Sequence, residues 1–111
     1  MRQPTFFEGR ADADAPDAES LVLYALGDFQ ARGKLLAERD LPLDRLRGAL
    51  RRAADAHGVR ELDDETAARA LAALGARVRR VQTFFAKHPF RVNVPAELAE
   101  RALARFKGEG D

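Results

Sequence analysis

A chain of 111 residues with 46% apolar and 33% charged residues has the length and balance of one ordinary folded domain, not of a disordered segment. It contains no cysteine, which excludes disulfides, thiolate nucleophiles and Cys-based zinc sites. No apolar run approaches the roughly 20 residues that span a bilayer, and MRQPTFFEGRADADAP lacks the apolar centre of a secretion signal. A cytoplasmic protein without a membrane partner is therefore expected.

The formal net charge of +1 conceals a block pattern. Residues 1–31 carry two arginines against six acids, and residues 32–60 carry eight basic groups against four acids. Residues 61–75 carry one arginine against four acids, and residues 76–111 again carry eight basic groups against four acids. Any site for a polyanion must therefore be local. Arginine outnumbers lysine 16 to 3 and there are 22 alanines. A GC-rich genome explains both, although the guanidinium fork also suits phosphate.

Residues 1–16 read as a flexible acidic arm, with Thr5, Phe6 and Phe7 able to form a short strand or dock on the core. Asp17 is a good N-cap for a first helix, in which Val22, Ala25, Leu26 and Phe29 share one face. Gly27 weakens that helix and so suggests a close helix crossing. Gly33 marks the stop, and KLLAER allows a further short helical turn.

Asp40–Pro42 reads as the start signal of a second helix, with Leu43, Leu46, Leu50, Ala53 and His57 recurring at helical steps and Gly58 closing it. A third helix opens at Asp63 or Asp64, buries Ala67, Ala70, Leu71 and Leu74, and ends at Gly75.

The period then shifts from helical to alternating. Ala76 and Val78 alternate with Arg77 and Arg79, and the doubled Arg79–Arg80 suggests a bulge. Phe90, Val92 and Val94 alternate with Arg91 and Asn93, so a β-hairpin with its loop near Lys87–Pro89 is expected. Pro95 opens a last helix that turns Leu98, Ala102, Leu103 and Phe106 inward. The whole is an α+β chain, mainly α. It has a three-helix bundle, a two-stranded hairpin and a C-terminal helix, as one domain over 17–107 with a disordered tail at 108–111.

The hairpin carries the main functional signal. Arg77, Arg79, Arg91 and Asn93 fall on the face away from the core, with Lys87 and His88 at the tip. A basic ribbon of this kind can neutralise phosphates along a groove; the competing reading is a solvated outer face of a sheet. Arg45, Arg47, Arg51 and Arg52 form a second cluster on the second helix, where a charged solvent face is the favoured explanation. Candidate nucleic-acid contacts are thus Arg77, Arg79, Arg80, Lys87, Arg91, Arg51 and Arg52.

Catalytic and metal chemistry find little support. His57 and His88 are the only histidines and have no ligand spacing. His57 fits a helix-end role. Glu61, Asp63, Asp64 and Glu65 could hold a divalent cation, but capping and dipole compensation explain them more simply. Ser20 is the sole serine, and there is neither a glycine-rich phosphate loop nor a GxSxG motif. No catalytic residue, metal or cofactor is expected.

Three helices followed by a hairpin is the element order of a winged-helix domain. The stretch ETAARALAALGARVRRVQTFF with FRVNVP resembles the passage from the third helix through the wing of such domains. Within it, ALAALGARVRRV resembles the helix–glycine–strand passage of DNA-binding modules attached to phage-type primase and helicase proteins. The likeness spans roughly residues 42–106. It implies duplex DNA as partner, with the third helix in the major groove and the hairpin on the adjacent backbone. The chain departs from that pattern where Asp63, Asp64 and Glu65 open the third helix and Arg69 is its sole basic residue. DNA contact would then fall to the ribbon and to the second helix. The alternative is a homodimeric protein-interaction module, suggested by Phe6–Phe7, Phe84–Phe85 and the small net charge.

Overall fold

A computed structural model of the chain describes residues 17–81 and 90–108. The expected arm, the hairpin loop with Lys87 and His88, Phe84–Phe85 and most of the tail lie outside the described residues.

Helix α1 spans Ala18–Ala31 and begins where the Asp17 carboxylate accepts the Ser20 backbone N–H at 2.8 Å. Leu21, Val22, Leu23, Ala25, Leu26 and Phe29 are all buried, so apolar residues surround much of its circumference. A helix apolar on most sides must be wrapped by others. Here α2 (Arg47–His57), α3 (Asp64–Leu74) and α4 (Ala96–Phe106) all pack against it. Gly27 sits where α1 crosses α4: a Cβ there would lie 2.5 Å from the Ala102 carbonyl oxygen and overlap Phe106 Cβ. That is the packing reason for a glycine inside this helix.

Helices α2 and α3 end as their glycines predict. Gly58 and Gly75 take left-handed conformations, with φ of 65° and 114°. Asp63 caps α3 by accepting the Thr66 N–H at 2.7 Å.

The sheet has three strands rather than the two of the expected hairpin. Strands β1 (Asp40–Pro42), β2 (Arg77–Arg80) and β3 (Phe90–Asn93) run antiparallel in the order β1-β3-β2. Asp40–Pro42 itself pairs with β3 as a strand, and the second helical segment follows it, opening as a 3-10 turn over Leu43–Leu46 with Pro42 at its N-cap. Pro42 is tolerated because β1 is an edge strand, where a missing N–H breaks no central ladder. KLLAER forms no helical turn. Leu36 is buried, Ala37 bridges Val94, and Glu38 turns the chain at φ 60°.

The doubled arginine makes no bulge between the described strands. Residues Arg77 to Arg80 pair one to one with Asn93 to Phe90. Arg80 follows the alternation and lies on the same side as Val78, toward the helices. Its long side chain passes over the Phe90 ring, 4.5 Å from the centroid, to reach Glu65 on α3. Phe90, Val92 and Val94 are buried on the sheet side and belong to the same hydrophobic core as Val22, Leu26, Leu43, Leu46 and Leu71. The architecture is α+β and mainly helical. No helix among the described residues is long and apolar enough to cross a membrane.

Candidate nucleic-acid interface

Alternation along the strands places Asp40, Arg77, Arg79, Arg91 and Asn93 on the outer face of the sheet. The register arranges them in rows. Asp40, Asn93 and Arg77 are neighbours across the three strands, and Arg91 stands opposite Arg79 in the next row. Asp40, Arg77, Arg79 and Asn93 border a shallow hollow of about 240 Å³ together with Val78.

Two like charges directly opposite one another are unfavourable on a sheet. Asp40 relieves the repulsion. Its Oδ2 accepts Arg91 Nη2 at 2.8 Å, Arg91 Nε at 3.0 Å and Arg79 Nη2 at 3.1 Å. The Arg91 hydrogen bond, followed by the charges of Arg91 and Arg79, holds the Asp40 carboxyl below its ordinary value, partly offset by desolvation. Arg77 donates to Asn93 Oδ1 at 2.9 Å and lies 3.7 Å from a Glu38 carboxylate oxygen. The other Glu38 oxygen accepts the Ala96 N–H at 3.0 Å. Pro95 has no side-chain group that could cap α4, and Glu38 does so from a distant part of the chain.

The outer face therefore holds three guanidinium groups, from Arg77, Arg79 and Arg91, against the carboxylates of Glu38 and Asp40. Arg77 and Arg79 are well exposed, at 67% and 63% of their side-chain area. Arg80 is separate from this set, facing Glu65 at 2.6 Å on the helix side.

The arginines of α2 have other partners. Arg47 is largely buried and clamps the start of α3 through Glu61 at 2.8 Å, the Leu62 carbonyl at 2.6 Å and Asp64 at 2.5 Å. Arg51 lies 3.6 Å from Glu61 and remains exposed. Arg52 bonds Asp28 at 2.7 Å through Nε. Asp28 is the one buried charged side chain among the described residues, and Arg32 reaches it from one turn further along α1. Arg47 and Arg52 thus join helices to one another. The α2 arginines meet Glu61, Asp64 and Asp28, whereas those of the sheet meet Glu38, Asp40 and Glu65.

The acids that open α3 are similarly engaged: Asp63 caps the helix, Glu61 and Asp64 hold Arg47, and Glu65 holds Arg80. His57 Nδ1–H donates to the Ala53 carbonyl at 2.8 Å, and its ring meets Tyr24 edge-on at 5.0 Å between centroids. These contacts make it a helix-end and packing residue.

Sequence reasoning missed Asp40 and Glu38 as members of this face. Their partners lie 39 to 58 positions away in the chain, and no local spacing signals such a pairing. No family model, curated protein or solved structure matches the chain.

Proposed function

We propose that the chain is a winged-helix-like module that contacts the phosphate backbone of nucleic acid through the outer face of its sheet. The observation that carries this reading is the excess of one guanidinium on that face, concentrated where Arg79 and Arg91 share a single carboxylate oxygen. The element order, with a first strand between the first and second helices and β3 central in the sheet, supports a winged-helix-like arrangement.

The helix that would read the major groove in such modules is a poor candidate here. Its exposed positions include Glu65, Ala72 and Ala73, with Arg69 as the single base. Contact is assigned instead to Arg77, Arg79 and Arg91, with Lys87, from the segment that joins β2 to β3 in the sequence, as an additional cation. Contacts of this type position a duplex without reading its sequence. Titration of duplex and single-stranded DNA at two salt concentrations tests the reading. Weak sequence preference and a steep loss of affinity with salt are expected. Each of Arg77→Ala and Arg79→Ala should flatten the salt slope by about one unit. Absence of binding at low salt overturns the proposal.

A second reading has its own observation. Every described ribbon arginine has a carboxylate within 3.7 Å: Glu38 for Arg77, Asp40 for Arg79 and Arg91, and Glu65 for Arg80. Such mutual neutralisation suits a protein-interaction module, homodimeric or otherwise, that does not bind nucleic acid. Sedimentation over a range of concentrations, alongside the DNA titration, separates the two. Self-association without DNA binding favours the second.

A further inference from the structure

We propose that Asp40 is a built-in competitor of the phosphate group, occupying with its own carboxylate the position that a backbone phosphate oxygen takes between Arg79 and Arg91. The inference rests on the nucleic-acid reading above and specifies how that site is regulated.

Three features of the contact lead to it. First, a single oxygen, Asp40 Oδ2, receives three N–H groups from two guanidiniums. This is the donor convergence that a phosphate oxygen requires. Second, the carboxylate is not locked in place. Asp40 lies on a three-residue edge strand with 43% of its side-chain area exposed, so it can swing aside into water without burying a charge. Third, exposed ion pairs are individually weak, from about 0 to 1 kcal/mol, and are screened by salt. A nucleic-acid backbone that supplies several phosphates at once offsets the loss of one such pair, whereas a lone monovalent anion gains little by displacing it. Asp40 thereby sets a threshold: the site discriminates in favour of polyanions and stays closed to single small anions.

The experiment compares wild type with Asp40→Asn, Asp40→Ser and Asp55→Asn in binding to a duplex DNA at low and moderate salt. Asp55 is exposed on α2 and outside the sheet, so Asp55→Asn makes the same change in net charge without touching the site. Circular dichroism confirms that each variant is folded at the assay temperature. Asp40→Asn and Asp40→Ser are expected to tighten binding on the order of fivefold at low salt, with Asp55→Asn changing it far less. They should also bind inorganic phosphate more tightly than wild type does.

If wild type binds DNA and loses affinity on Arg79→Ala, yet Asp40→Asn behaves like Asp55→Asn, the competitor role is overturned and the nucleic-acid reading stands. If neither wild type nor either Asp40 variant binds at low salt, both fail. Binding by the Asp40 variants alone overturns the nucleic-acid reading of the wild-type chain and the threshold role with it, because a carboxylate that DNA cannot displace is a block and not a competitor.

Discussion

Arg79 and Arg91 stand directly opposite one another on neighbouring strands, and both donate to the same oxygen of Asp40. The pair is tolerable because the carboxylate lies between the two cations, which would otherwise repel across the sheet. The arrangement predicts a change of sign in a double-mutant cycle. With Asp40 present, Arg79→Ala removes an attraction and lowers the melting temperature slightly or leaves it unchanged. In the Asp40→Asn background the same substitution removes a net repulsion and raises it. The contrast should fade at high salt. Equal shifts in both backgrounds would show that the three side chains are not energetically coupled.

The pH dependence follows from three carboxyls whose values are lowered from the ordinary 3.8. In Asp17 and Asp63 the main cause is the backbone N–H each accepts, from Ser20 and Thr66; in Asp40 it is the Arg91 hydrogen bond. A lowered folded value means that the unfolded chain takes up protons first as pH falls. The stability these groups contribute is therefore complete above 3.8 and is lost as pH drops through the folded values. Urea midpoints measured between pH 7 and pH 3 should be flat at first and then decline. Asp63→Asn keeps a good capping side chain while removing the titration. Its midpoint should fall less steeply over the acid range, and an unchanged slope would refute the assignment to Asp63.

Gly27→Ala is expected to destabilise the fold although alanine is the better helix former by about 1 kcal/mol. The added methyl group meets the Ala102 carbonyl oxygen and Phe106 Cβ, neither of which is the free end of a flexible side chain. Helices α1 and α4 must separate, at a net cost of about 1–3 kcal/mol. Combining it with Phe106→Ala should relieve little of the cost, because alanine keeps the Cβ that the new methyl group meets and the clash with the Ala102 carbonyl oxygen also remains. A Gly27→Ala variant that unfolds at higher denaturant than wild type would contradict the close crossing.

Arg51 and Arg52 are adjacent in sequence and alike in composition, yet their substitutions should differ. Arg52→Ala leaves the buried Asp28 carboxylate with Arg32 alone, whose two contacts are long at 3.3 Å. Losing a charge-assisted bond to a buried acceptor should cost about 2 kcal/mol. Arg51 makes a single exposed pair at 3.6 Å with Glu61, so Arg51→Ala should cost less than about 0.5 kcal/mol. Chemical denaturation of the two variants side by side decides it. Equal losses would mean that Asp28 does not depend on α2.

The helices were legible because each is punctuated locally: Asp17 and Asp63 before an apolar repeat, Gly58 and Gly75 after one. The two longer strands were legible from the shift to alternation at Arg77 and Phe90. Strand β1 was not, since three residues carry no period and Pro42 argues for a helix start as readily as for an edge. The site was half legible for the same reason. Alternation alone puts Arg77, Arg79, Arg91 and Asn93 on one face, but the acids that meet them come from the segment around Asp40, which only the tertiary pairing with β3 brings alongside. Arg79–Arg80 illustrates the limit within a strand. The doubled charge suggests a bulge, whereas the side chain of Arg80 is long enough to keep the register and still carry its charge past Phe90 to Glu65.

Glu38 combines two roles that pull in opposite directions, which gives a last prediction. Its backbone adopts φ 60°, a conformation that costs a non-glycine residue about 1 kcal/mol or more. Its carboxylate offsets that cost by capping α4 at Ala96 and by standing beside Arg77. Glu38→Ala keeps the backbone strain and removes the cap, so it should destabilise by about 1 kcal/mol. Glu38→Gly removes the cap and the strain together and should come out closer to wild type. The order Glu38, then Gly, then Ala in thermal stability is the signature of a strained residue retained for its side chain. If Gly proves less stable than Ala, the strain is absent and the unfolded-state entropy of glycine dominates.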